Sequence, residues 1–80
     1  MQALIVIKPL AKEVESVAEK LTAIKNVDRM MLLETEEILV WITFSDTDSL
    51  TSMLKQMRQI PGVQSTETKL VLNRIRSQAF

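Results

Sequence analysis

The sequence predicts an α+β sandwich in which two helices cover one face of a four-stranded antiparallel sheet, and three observations carry that prediction. Four short runs are rich in β-branched and other apolar residues, the composition of strands. Two intervening segments repeat their apolar residues at helical spacing instead. Their order is βαββαβ, and 80 residues leave room for one core, so the elements must pack as a single unit.

The first strand is read over Ala3-Leu4-Ile5-Val6-Ile7 and is stopped by Lys8-Pro9, because proline cannot donate to a sheet ladder. From Leu10 the period changes. Val14, Val17, Ala18, Leu21 and Ile24 fall on one face of a helix whose other face is Glu and Lys. Asn26 marks its end, since asparagine tolerates the left-handed backbone that closes helices. The second strand is placed at residues 27–33 and the third at 38–44, joined by the short hairpin Glu34-Thr35-Glu36-Glu37. Ser45, Asp46 and Asp48 then supply cap oxygens and negative charge to the start of the second helix. Leu50, Met53, Leu54, Met57 and Ile60 form its apolar stripe, and Pro61-Gly62 ends it. Residues 63–73 make the fourth strand, so the domain is expected to run over 1–73 with a tail at 74–80. With two right-handed crossovers this order is the ferredoxin-like sandwich.

Composition removes whole classes of chemistry. Ten basic residues balance ten acidic ones, which leaves no electrostatic footprint for nucleic acid or an anionic membrane. There is no cysteine and no histidine, hence no disulfide, no thiol nucleophile, no imidazole base and no usual zinc ligand set. Gly62 is the single glycine, so neither a phosphate-binding loop nor a dinucleotide fingerprint can be written. No apolar run approaches the length of a membrane span, and the expected location is the cytoplasm. Neither a cofactor nor a metal is expected, the Glu-rich hairpin being read as a solvated tip.

A sheet with one wet face should alternate, yet Ala3 to Ile7 and Ile38 to Ile42 are apolar throughout, and Met30-Met31-Leu32-Leu33 and Leu70-Val71-Leu72 extend the pattern. Two helices cover only one face. A second copy packed sheet against sheet is therefore expected on the other, with Ile5, Ile7, Met31, Leu39, Trp41 and Val71 as its interface.

The stretch Ile60-Pro61-Gly62-Val63, then Thr66-Glu67-Thr68, then Leu70-Val71-Leu72, at the end of a βαββαβ chain, resembles the effector-binding (RAM, regulation of amino acid metabolism) domain of the Lrp/AsnC transcription regulators. The resemblance covers residues 2–73 and rests on order and spacing. It implies a dimeric α+β barrel, assembled further into octameric or similar rings, with a free amino acid or other small ligand held where subunits meet. It also implies ligand contacts at Glu34, Glu36 and Glu37 in the hairpin, at Ser45, Asp46 and Asp48 before the second helix, and at Thr66 and Thr68. The polar half of the last strand would then face a site between subunits, and its apolar half the subunit contact. The family's Gly-x-Tyr-Asp hairpin is replaced by Glu-Thr-Glu-Glu here, keeping only the last acid. Since the first strand begins at the second residue, the expected form is a stand-alone module that does not bind DNA and modulates full-length regulators by co-assembly.

Two other functions fit the fold. Small ferredoxin-like chaperones bind the signal peptides of periplasmic nitrate reductases, which would use an open sheet face or edge for a peptide. Facing ferredoxin-like sheets also host small oxygenases and isomerases, but fold alone does not confer chemistry, and no convergent pair of carboxylates or lysines is legible.

Overall fold

In a computed structural model, which describes residues 1–72, the chain forms β1 (Gln2–Pro9), a short 3₁₀ turn (Ala11–Glu13), α1 (Val14–Leu21), β2 (Val27–Leu32), β3 (Ile38–Thr43), α2 (Thr47–Arg58) and β4 (Val63–Val71). All strand pairs are antiparallel, in the order β2-β3-β1-β4. This is the ferredoxin-like α+β sandwich expected from the sequence. The tail 74–80, and Asn73 before it, lie outside the described residues.

Each boundary has a local cause. β1 runs two residues past Ile7, and its pairing with β4 slips between Lys8 and Pro9, where the proline cannot donate. The first crossover opens as a 3₁₀ turn and becomes α-helical only at Val14. After α1, Asn26 takes a left-handed backbone (φ 71°) and releases the chain into β2. Asp46 caps α2 in a reciprocal box: its carboxylate accepts from the Ser49 backbone N–H at 2.8 Å, and the Ser49 hydroxyl accepts from the Asp46 N–H at 3.2 Å.

The hairpin between β2 and β3 carries strain that the sequence does not announce. Glu36 sits at φ 70°, a position that a β-turn followed by a left-handed residue normally gives to glycine. The backbone bonds Glu36 N–H to Leu33 C=O and Leu33 N–H to Glu37 C=O, both 2.9 Å, hold it there. Glu36→Gly is therefore expected to stabilise the fold by about 1 kcal/mol, the cost of a left-handed side-chain-bearing residue less glycine's entropy. Thermal unfolding of the two proteins side by side checks this, and a lower midpoint for the variant would contradict it.

The core lies between the helices and one face of the sheet. Ala3, Ile5 and Ile7 of β1 are 0 % exposed, as are Val40 and Ile42 of β3, Val17 and Leu21 of α1, and Met57 of α2. Residues opposed across antiparallel strands share a face, so Ile38, Val40 and Ile42 join Ile7, Ile5 and Ala3 under the helices. The alternate residues, Leu4 and Val6 of β1 with Leu39 and Trp41 of β3, form a half-buried apolar centre on the other face. No element among the described residues covers them.

This register corrects the expected interface. Ile5 and Ile7 belong to the helix-covered core, and Leu4 and Val6 take their places on the open face. Met31, Leu39, Trp41 and Val71 do lie on that face, Met31 being 47 % exposed. An unbroken apolar run has no polar residue to mark its outer side, so its parity is set only by packing and register.

Candidate functional site

The open face is laid out in rows across the strands. Its centre is apolar: Trp41 beside Leu4, then Met31, Leu39 and Val6. Its margins are polar, with Arg29 on β2 and Lys69 and Glu67 on β4, the last two paired at 3.3 Å in the open. Gln2, Thr43 and Val71 form the row at one end. An apolar centre inside a polar rim is the usual anatomy of a protein interface.

A β-bulge shapes that end. Val27 opposes Ile42, but Arg29 opposes Trp41, so Asp28 is an extra residue in β2. Strict alternation would send Asp28 and Arg29 to opposite faces. The bulge instead turns Asp28 to the open side, where its carboxylate accepts from the Thr43 hydroxyl. The Arg29 guanidinium carbon lies 5.8 Å from the centre of the Trp41 ring, close enough for cation–π attraction. Gln2, Asp28, Arg29, Trp41 and Val71 together line a cleft of about 510 Å³. The indole Nε1 of Trp41 is buried and has no hydrogen-bond partner among the described residues.

The expected ligand residues fall at three separate corners of the chain. The hairpin acids Glu34, Glu36 and Glu37 sit at the end of the sheet where Ile7 meets Ile38, and the Thr35 hydroxyl donates to the Glu37 carboxylate at 2.9 Å. Ser45, Asp46 and Asp48 sit at the opposite end, where the Phe44 N–H donates to the Met1 carbonyl. There the Asp46 carboxyl is held below its ordinary value, first by the Ser49 backbone N–H and then by the Ser49 hydroxyl. Asp46 is thus occupied as a helix cap. Thr66 and Thr68 lie on β4, at the opposite edge of the sheet from β2 and three strand spacings away, about 14 Å by the usual strand spacing.

The threonines also face away from the open side. Thr66 opposes Ile7 and Thr68 opposes Ile5, so both point toward the helices, and the Thr66 hydroxyl accepts from Arg58 Nε of α2 at 3.3 Å. Leu70, opposite Ala3, shares their face and is 56 % exposed. The division of β4 is therefore by parity, not by halves: Glu67, Lys69 and Val71 take the open face. Period-2 geometry makes this unavoidable once the register is fixed.

Arg58, Arg29 and Asp28, which meet Thr66, Trp41 and Thr43, are not among the residues expected from the sequence. For the last two a signal was present. The polar pair Asp28-Arg29 interrupts an otherwise apolar strand, and such a break in period is how a bulge shows itself.

The Asp46 cap has a pH signature. Because its folded pKa lies below the ordinary carboxylate value of 3.8, its contribution is fully present above that value and is lost as pH falls through the folded pKa. Asp46→Asn keeps a capping oxygen without the charge. The melting difference between wild type and this variant is expected to be constant near neutrality and to shrink below pH 3.8; a gap that widens on acidification would exclude the charge as its cause.

The fold and its half-covered sheet define a ferredoxin-like domain of the kind that can pair sheet to sheet. A family model described as the PF0864 C-terminal dimeric alpha+beta barrel domain, of the AsnC transcription-regulator group, matches residues 2–79, and the chain belongs to this Lrp/AsnC family. That family consists of regulatory domains rather than enzymes, and its dimeric character implies a homo-oligomer. Among solved structures, FFRP-DM1 has a TM-score of 0.81 at 23 % identity, over 89 % of this chain and 97 % of that one. AsnC of E. coli has 0.78 at 22 % identity, over 95 % of this chain but 55 % of its own length. The Tat proofreading chaperone NapD of E. coli has 0.76 at 14 % identity, over 98 % of this chain and 81 % of that one. These likenesses show the fold. No curated protein matches the sequence. Among the described residues, no helix is long and apolar enough to cross a membrane.

Proposed function

We propose that this chain is a homo-oligomeric effector module of the Lrp/AsnC type, which binds an amino acid at subunit contacts and modulates transcription regulation without itself contacting DNA. The observation that carries the reading is the open sheet face, where Leu4, Val6, Leu39 and Trp41 form an apolar centre with nothing over it among the described residues, in a chain whose family is dimeric. The balanced charge supports the absence of DNA contact. The separation of the hairpin acids, the Ser45–Asp48 loop and the Thr66-x-Thr68 pair supports a ligand site completed by more than one subunit, since one copy brings only single corners to it.

Co-assembly with full-length regulators, in the cytoplasm, is the route by which such a module would act. The test is thermal unfolding of the purified protein with each proteinogenic amino acid at millimolar concentration, alongside its native mass by sedimentation. A ligand at a hundredfold excess over its dissociation constant stabilises by about 2.7 kcal/mol per site. For a domain of this size that moves the midpoint on the order of 10 °C or more. A monomer at micromolar concentration that no amino acid stabilises would end this reading.

The likeness to NapD keeps one alternative in view, a domain that binds a signal peptide. At 14 % identity it rests on fold alone. A monomer that tightens on a twin-arginine peptide and ignores amino acids is the result that would favour it.

A further inference from the structure

We infer that the groove between the start of α1 and the β2–β3 hairpin receives the basic segment 73–80 of another copy of this chain, with Glu15 and Glu36 meeting Arg74 and Arg76. The inference goes beyond the effector reading and needs no amino acid. It needs only that copies meet, which the dimeric character of the family implies.

The groove lies on the helix side of the sheet, away from the open face. Leu32 opposes Ile38, a core residue, so it points toward the helices, yet at the edge of the sheet it is 63 % exposed. With Ala11, Lys12, Val14, Glu15 and Glu36 it lines a hollow of about 380 Å³. Ala11, Val14 and Leu32 give this hollow apolar surface, and Glu15 and Glu36 give it carboxylates. Such a lining suits an apolar side chain flanked by cations.

Charge selects the occupant. Glu13, Glu15, Glu34, Glu36 and Glu37 gather at this corner against Lys8 and Lys12, and the one ion pair among the described residues joins Lys69 to Glu67 on β4. The groove carboxylates therefore have no cation within salt-bridge reach among the described residues. None of the ten acidic residues lies beyond Glu67, while Arg74 and Arg76 are two of the ten basic ones. Residues 1–72 thus carry a side-chain charge of −2 and residues 73–80 one of +2. In Arg74-Ile75-Arg76 an apolar residue stands between two guanidiniums, the groups best shaped to grip carboxylates.

Covalent reach excludes the chain's own segment. Leu32 stands in the row of Ile38, Ile7 and Thr66, and Leu72 is six residues past Thr66 on the opposite edge. The two are about 20 Å apart along the strands and about 14 Å across them, roughly 25 Å in all, with the helices packed over the sheet between. The backbone at Arg74 and Arg76 can stand at most about 7 and 14 Å from Leu72. Even with outstretched side chains, neither guanidinium comes round the helices to its own groove. A neighbouring copy can present both.

The chain has no cysteine, so each introduced cysteine reports on one contact. The experiment is mild oxidation of an equimolar mixture of the full-length Ala11→Cys and Ser77→Cys proteins, with the mixed disulfide told from the two like-with-like products by intact mass. The mixed product is expected to exceed either of the others several-fold. That excess should fall as salt rises from about 0.1 to 1 M, where the screening length shrinks from about 10 to about 3 Å. Adding Arg74→Glu and Arg76→Glu to the Ser77→Cys chain is expected to remove the excess, and adding Glu15→Arg and Glu36→Arg to the Ala11→Cys chain to restore it. Ala11, Glu15 and Glu36 are exposed, and the thermal midpoint of each variant checks that it folds.

Three results would overturn the inference. Absence of any excess of the mixed disulfide between folded proteins would give the groove to some other occupant. An excess that survives both salt and the arginine reversal would show that charge does not direct the contact. A chain carrying both cysteines that closes on itself as a monomer would return the segment to its own subunit. Each leaves the proposed amino acid binding untouched, since thermal shift with amino acids reads that separately.

Discussion

Gly62→Ala is expected to destabilise the fold by roughly 2–5 kcal/mol, from backbone strain and overpacking acting at one atom. Gly62 holds φ at 97°, a backbone that a residue with a side chain rarely adopts. A Cβ there would lie 2.6 Å from the Glu13 Cβ, 3.0 Å from its Cγ and 3.2 Å from the Val17 Cγ2. The Cγ contact can be relieved by a rotamer change. The Cβ contact cannot, because it moves only with the backbone. That backbone is fixed in turn: the Leu10 N–H donates to the Gly62 carbonyl at 2.8 Å, tying the end of β1 to the entry of β4. At several degrees per kcal/mol for a domain of this size, the midpoint should fall on the order of 10–30 °C. Adding Glu13→Gly to the variant removes the two Glu13 contacts and leaves the Val17 contact and the backbone strain, so it should restore only a portion of the loss. A Gly62→Ala protein that melts within a degree or two of wild type would show that the turn is not held as described.

Leu39→Asp is expected to abolish oligomer formation while leaving the subunit folded. Leu39 lies in the apolar centre of the open face, opposite Val6 and beside Met31. In the separate subunit this position is half-exposed, so a carboxylate there keeps much of its hydration. In a sheet-to-sheet dimer it would be buried without a partner, at a cost of about 3–5 kcal/mol for each copy. For the two copies together that is roughly 6–10 kcal/mol, about four to seven powers of ten in dissociation constant. Sedimentation should therefore report the subunit mass, with near-native circular dichroism at low temperature. The control is Val40→Asp, one residue along the same strand. Val40 is 0 % exposed and faces the helices, so this change should unfold the subunit outright. If Leu39→Asp retained the native mass, the open face would not be where copies meet.

The contrast between those neighbours is also the measure of what could be read from the chain. The helix stripes were legible because polar residues flank them: Val17 and Leu21, and Leu50, Met53 and Met57, are the buried positions of α1 and α2. Asn26 and the Asp46 cap were legible because their side chains have one local job each. The open face was legible as a face but not residue by residue. Ile5 and Ile7 were exchanged for Leu4 and Val6, since nothing in Leu4-Ile5-Val6-Ile7 distinguishes odd from even. The faces of β4 depend on the same parity. Thr66 and Thr68 lie on one side of β4 as their spacing requires, but the side is the helical one, and Arg58 meets Thr66 there from a neighbouring element.

By itself, then, the sequence determined the kind and order of the elements, the helix faces, the chain reversals and the surplus of apolar strand that leaves one sheet face needing cover. Each of these follows from residues within a turn or two of one another. Only the tertiary structure decided which parity of each strand meets the helices and where Asp28, Arg29 and Trp41 come together. Those outcomes depend on register, and register is fixed by pairing between strands far apart in the chain, where a single extra residue at Asp28 turns a carboxylate from one face to the other.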